Sequence, residues 1–210
     1  MQGSDRVGQT PGGQDAVLRP RLLLHACCAP CSSAVVERLQ QSYAVTIFFY
    51  NPNIHPQPEY QLRCSELEQW CQHLNLPLIV DEYIPEHWHQ LVAGYEQEAE
   101  RGERCTLCYR MRMQRTAQRA KDDGFALFTT VLSISPHKDA ERINRIGAQL
   151  SSELEVDFYT ANFKKQGGFQ RSLELSKLYG FYRQNYCGCC YSLAQSEQRR
   201  SASRTLDSSS

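Results

Sequence analysis

No part of this sequence stays apolar for long. The longest apolar runs, Leu22–Leu24 and Val45–Tyr50, fall far short of the ~20 residues that cross a bilayer as a helix. A membrane-spanning helix is therefore not expected. The N-terminal positions where a secretion signal needs an apolar segment hold Gly, Gln and Asp, so no signal is expected either. Net charge is also missing, with 23 Lys+Arg against 23 Asp+Glu, which leaves any attraction to phosphates to a local patch. No internal repeat is visible. These absences describe a soluble, cytoplasmic protein, and 41% hydrophobic with 10% aromatic residues exclude a wholly disordered one.

What the chain has in abundance is cysteine, ten in all. Without a secretion signal the oxidising compartment for disulfides is missing, so the thiols read as core residues, metal ligands or redox groups. Spacing sorts them. Three clusters stand out: Cys27-Cys28-x-x-Cys31, Cys105-x-x-Cys108 and Cys187-x-Cys189-Cys190. A Cys-x-x-Cys unit brings two sulfurs to one metal from a single turn. Cys64 and Cys71 instead share a helical stripe with Tyr60, Leu67 and Leu74 and read as buried free thiols. The clustered thiols outnumber the four ligands of a structural zinc. Adjacent Cys27 and Cys28 point in different directions, which suits separate irons better than one zinc. Gly188 gives the backbone between Cys187 and Cys189 the freedom for a close-spaced, reactive disulfide. An iron–sulfur centre beside a dithiol pair fits this count best. A zinc-bearing RNA-binding module without catalysis is the alternative.

At 210 residues the chain is one domain with appendages. Residues 1–19 and 195–210 read as disordered tails, leaving 20–194 as the folded unit. Strand signals at Arg21–His25, Val45–Tyr50, Leu76–Val80, Phe125–Val131 and Val156–Tyr159 alternate with helical ones at Ser32–Gln41, Tyr60–Leu74, Glu86–Glu100, Leu107–Lys121 and Phe169–Tyr179. Another helix is expected to open at Ser135-Pro136, with Ser as cap and Pro in the first position. Its buried face is Ile143, Ile146 and Leu150. The alternation predicts an α/β fold with a mostly parallel sheet flanked by helices. Ligands bind at the carboxyl ends of such strands, where Cys27 and Cys28 stand.

The run Leu24-His25-Ala26-Cys27-Cys28-Ala29-Pro30-Cys31-Ser32 resembles the opening of the QueH-type epoxyqueuosine reductases. The resemblance continues through Phe49-Tyr50-Asn51-Pro52-Asn53-Ile54-His55-Pro56, Glu59-Tyr60 with Arg63, and Arg104-Cys105-Thr106-Leu107-Cys108-Tyr109-Arg110. It extends to Thr129-Thr130, Ser135-Pro136-His137-Lys138, Asn162-Phe163-Lys164-Lys165 and Tyr186-Cys187-Gly188-Cys189. It implies a cobalamin-independent oxidoreductase that converts epoxyqueuosine to queuosine at the wobble nucleotide of tRNA, fed by an external electron donor. It further implies a 4Fe–4S cluster on Cys27, Cys28, Cys105 and Cys108 and a redox-active pair at Cys187 and Cys189. Cys31 stands where some members carry an acidic residue and is an additional iron ligand on this reading, with room for an adjacent further iron. Cys190 matches no motif of the family. The implied fold is adenine nucleotide α-hydrolase-like (Rossmann-like). The Ser-Gly-Gly-x-Asp-Ser pyrophosphatase loop that would follow the first strand of ATP-using relatives of that fold is absent.

Residues 101–121 hold seven Lys/Arg against one acid, Glu103. Spacing places Arg115 on one helical face with Arg112 and Arg119. The run is expected to meet tRNA phosphates, extended by Lys138, Arg142, Lys164 and Lys165. Tyr50, Asn51 and Tyr109 sit within the motifs and are expected to contact the substrate, the tyrosines by stacking on an unpaired base. His25, two residues before Cys27, reads equally as a hydrogen-bond partner of the centre or as a packed core histidine.

Overall fold

The computed structural model describes residues 19–207. The expected N-terminal tail lies, but for Arg19, outside the described residues. Five strands, β1 (Arg21–His25), β2 (Ala44–Phe49), β3 (Leu78–Val80), β4 (Leu127–Thr130) and β5 (Asp157–Phe158), form one sheet in the order β3-β2-β1-β4-β5. All four pairings are parallel. Leu22, Leu23 and Leu24 of the central strand are all fully buried; an unbroken apolar run is what a strand covered on both faces requires.

The helices are α1 (Ala29–Leu39), α2 (Gln57–His73), α3 (Pro85–Leu91), α4 (Glu103–Asp122), α5 (Ala140–Leu154), α6 (Gly168–Tyr179) and α7 (Cys190–Asp207). Helix α1 packs on α2 and α6, and α4 packs on α5. The chain runs outward from β1 through β2 to β3, then returns to add β4 and β5 on the other side. That reversal opens a crevice between the carboxyl ends of β1 and β4, the usual place for a ligand in such sheets.

Several element ends differ from expectation by a few residues, and three differences are larger. The helix expected at Glu86–Glu100 stops at Leu91, and Val92–Arg101 is a series of turns. They are pinned by buried Arg104, whose Nη1 donates to the carbonyls of Tyr95, Glu96 and Glu98 at 3.1, 2.8 and 2.6 Å. The helix expected at Ser135-Pro136 starts at Ala140, because Asp139 is the better cap: its Oδ1 accepts from the backbone N–H of Glu141 and Arg142, both at 3.0 Å. Residues from Gln195 to Asp207, expected as a tail, continue α7.

Gly147 on α5 makes the close approach to β5 possible. A Cβ there would lie 2.3 Å from the Phe158 ring. We expect Gly147→Ala to destabilise the protein by about 1–3 kcal/mol through overpacking, despite a helix-propensity gain of about 1 kcal/mol. Chemical denaturation measures the sign.

Candidate active site

The carboxyl edge of the sheet is tied together before any chemistry begins. His25 ends β1, fully buried, with Nδ1 2.9 Å from Thr130 Oγ1 and Nε2 3.2 Å from the Tyr50 carbonyl. A carbonyl only accepts, so Nε2 carries the proton and Thr130 donates to Nδ1. Burial, followed by the charge of Arg112, pushes its pKa down to about 3. The ring stays neutral and joins the ends of β1, β2 and β4. His25 is thus a packed framework histidine.

Just past it, the chain enters α1 through Cys28, in extended conformation, with Pro30 in the first turn and no side chain capping the helix. The free N–H groups and helix dipole there favour anions. Cys27, Cys28 and Cys31 converge at this end, with all three Sγ atoms within 4.8 Å of one another. Cys27 and Cys28 Sγ are 3.8 Å apart. Contacts from the Cys28 and Cys31 thiols, then the charges of Lys138 and Arg112, hold Cys27 well below the usual thiol range. Cys31 is pushed up to about 12, chiefly by Cys27. Of the three, Cys27 is the one whose thiolate the surroundings favour.

These sulfurs line a cavity of about 500 Å³ whose walls also carry Arg63, Lys138, Tyr186 and Cys187. Burial works against the Lys138 charge, but the field of Cys187, Cys27, Tyr109 and Cys31 outweighs it and keeps the ammonium protonated. Arg63 behaves likewise beside Cys28 and Cys27 and is clamped by Glu59 at 2.7 Å. A hollow of about 560 Å³ between α3 and α4 holds no cysteine and plays no part in this arrangement.

The Cys187 loop is held by the loop that follows β2. The His55 N–H donates to the Gly188 carbonyl at 2.7 Å, Tyr186 Oη donates to the His55 carbonyl at 2.5 Å, and Arg63 Nη1 donates to the Cys187 carbonyl at 3.3 Å. Gly188 adopts φ +127°, and a Cβ there would sit 3.2 Å from both Arg63 Nη1 and Ile54 Cγ1. Both the backbone and the space require glycine. Cys189 then packs with Cys108, Val92 and Trp88 in a small apolar cluster. Cys105 accepts from the Arg101 N–H at 3.3 Å, and burial pushes Cys108 up to about 12. Among the described residues, the compact sulfur set thus comprises Cys27, Cys28 and Cys31. Cys105 and Cys108 lie outside that set of three and adjoin Cys187 and Cys189. Cys64 and Cys71 lie in the main core, as their helical stripe predicts.

A family model described as "Epoxyqueuosine reductase QueH" matches residues 22–195. The chain belongs to the epoxyqueuosine reductase QueH family. Relatives bearing that name are 44% identical in Histophilus somni (87% of this chain, 76% of the relative), 43% in Acinetobacter baylyi (86% and 84%) and 36% in Thermotoga maritima (85% and 93%). A solved structure from Methanocaldococcus jannaschii, described as a predicted subunit of tRNA methyltransferase, superimposes with a TM-score of 0.52 at 11% identity, covering 75% of this chain and 74% of that one. The likeness is one of fold, and it bears out the α/β architecture with a parallel sheet. No helix among the described residues is long and apolar enough to cross a membrane.

The QueH motifs divide into residues that face the cavity and residues that build it. Lys138 faces it. Tyr109 is buried within electrostatic reach of Lys138 and Cys187. Asn51, expected at the substrate, is instead a brace: it is buried, its Nδ2 donates to the Ala26 carbonyl at 2.8 Å, and its Oδ1 accepts from Arg112 at 3.4 Å. Lys164 Nζ is committed to the Lys138 carbonyl at 3.0 Å, and Lys165 is exposed. Tyr50 stacks beside Phe48 and does not line the cavity.

Arg63 is the site residue the sequence reading left without a role. Its signal was its place on the Tyr60–Cys64–Leu67 stripe, where a cation must be buried and paired. Arg112 is likewise buried, 1% exposed, and not on a phosphate-binding face. We expect Arg112→Met to cost about 1–3 kcal/mol in urea denaturation, because it leaves buried Asn51 Oδ1 without its donor.

Proposed function

We propose that this chain reduces epoxyqueuosine to queuosine at the wobble position of tRNA, the last step of queuosine biosynthesis, in the cytoplasm. The observation that carries this reading is the trio of thiols at an uncapped helix end, sharing one cavity with Cys187. Three sulfurs within 4.8 Å, surrounded by buried cations, fit a thiolate-bound metal, since ligating thiols must give up their protons. Cys27, Cys28, Cys105 and Cys108 would hold a 4Fe–4S cluster, with Cys31 as a ligand to an additional iron. Such a centre supplies one-electron transfer and a Lewis-acidic iron.

Removing the epoxide oxygen takes two electrons and two protons and leaves an alkene and water. Closing Cys187 and Cys189 to a disulfide releases two electrons and two protons, so the pair balances the reaction and an external donor must reopen it. Arg63 and the His55 carbonyl and N–H hold that loop in place. Lys138 keeps its proton at Nζ, which suits it to steady a phosphate or the oxygen as it takes on charge.

Anaerobic reconstitution tests the reading. Brown protein with iron and acid-labile sulfide in about equal amounts, bleached by dithionite and competent on epoxyqueuosine-containing tRNA, is the expected result. Colourless protein with stoichiometric zinc and no turnover would sink it and leave the zinc-bearing RNA-binding module.

A further inference from the structure

The positive charge at the cavity mouth comes from the C-terminal end of the chain. The basic run of α4, where phosphate contacts were expected, is spent internally. Arg110 pairs with Glu153 at 2.7 Å, Arg115 with Asp81 at 2.6 Å, Arg119 with Asp123 at 2.6 Å and Lys121 with Glu155 at 3.6 Å. Arg104 and Arg112 are buried, and Arg101 donates to the carbonyls of Pro136 and His137. Little of the run's formal charge is left for a partner.

Arg183, in the segment after α6, and Arg200, on α7, line the cysteine cavity and are exposed. Among the described residues neither has a carboxylate within 4.0 Å. Arg183 Nη1 is steadied by Ser176 Oγ at 3.1 Å. Glu100, beside Arg199 at 4.0 Å, is the one carboxylate among the cavity-lining residues. The family match ends at residue 195 while α7 continues to Asp207, so Arg200 stands beyond the matched segment.

A nucleotide that reaches Cys27 and Cys187 from outside carries its flanking phosphates past this rim. Guanidinium groups suit them, being permanently charged and able to hold two phosphate oxygens at once. We propose that Arg183 and Arg200 form a clamp at the cavity mouth that grips the RNA backbone on either side of the inserted nucleotide. The clamp rests on the reading above that the substrate is a tRNA.

Binding of an unmodified tRNA transcript to the full, reconstituted chain across about 50 to 300 mM salt tests it. Arg183→Gln/Arg200→Gln is expected to weaken binding roughly tenfold at the low end and to lower the slope of log affinity against log salt by about 1.4, or ~0.7 per lost single-strand contact. Arg110→Gln/Arg119→Gln, taken from the neutralised run, should stay within about twofold of wild type. A rim variant with wild-type affinity and slope overturns the clamp, as does an equal loss in the α4 control. The two readings fail separately. If wild type binds through the rim but reduces no epoxyqueuosine, the reaction is wrong and the clamp stands. If wild type reduces it and the rim variant binds unchanged, the clamp alone is wrong. A wild type that binds no tRNA sinks both.

Discussion

Cys27→Ala is expected to abolish metal retention and with it all reduction of epoxyqueuosine. Cys27 is the member of the trio held below the usual thiol range, so it is the sulfur readiest to ligate. It also lies in the field of both Lys138 and Arg112. Without it, two of the three converging sulfurs remain, buried Cys28 and half-buried Cys31. Loss of an outer-shell partner alone typically costs 10–100-fold in metal affinity, so a lost ligand should cost roughly 100-fold or more. Iron and sulfide analysis with the visible spectrum gives the result. Cys71→Ala serves as the comparison: that thiol is buried in the core and is not one of the converging sulfurs, so its loss should cost stability and leave the chromophore intact. A colourless Cys71→Ala beside a normally coloured Cys27→Ala would overturn the sorting of the cysteines.

Cys187→Ser and Cys189→Ser should behave differently, keeping the metal while losing multiple turnover by roughly 100-fold or more. Neither residue belongs to the compact sulfur set, yet Cys187 lines its cavity and Cys189 is two residues along a loop that Gly188 permits to turn. Serine preserves size and cannot form the disulfide that releases two electrons. Single-turnover and multiple-turnover reduction, read beside the cluster spectrum, separate the roles. Loss of the chromophore in either variant would make that cysteine a metal ligand and end its role as an electron store. Normal turnover of both variants with dithionite would show the pair to be dispensable for delivering electrons.

Much of the fold was legible because its signals are local. Five strands and the alternating helices follow from apolar periodicity, and β1 was legible to the residue because a doubly covered strand must be continuously apolar. Helix ends were less legible. Ser135-Pro136 looked like a start signal, but Asp139 accepts two backbone N–H bonds and wins. Glu86–Glu100 looked helical, but the Arg104 side chain folds back from the start of α4 and claims three of its carbonyls. A competition between caps, or between a helix and a side chain, is settled by geometry that a linear reading does not contain.

The sequence by itself determined the α/β architecture, the placing of a cysteine site after the first strand, the core role of Cys64 and Cys71, and the family. Each depends on spacing along the chain. Only the tertiary structure decided where the cysteine clusters stand relative to one another: Cys27, Cys28 and Cys31 are gathered at one helix end, whereas Cys105 and Cys108 ride on α4, whose position is set by packing against α5 and the sheet. It also decided what the charges do. Seven basic residues in one stretch look alike in sequence, but a charge is spent or available according to whether a carboxylate or the core reaches it first. Asp81, Glu153 and Glu155 come to α4 from other elements, and that encounter is a property of the folded chain alone.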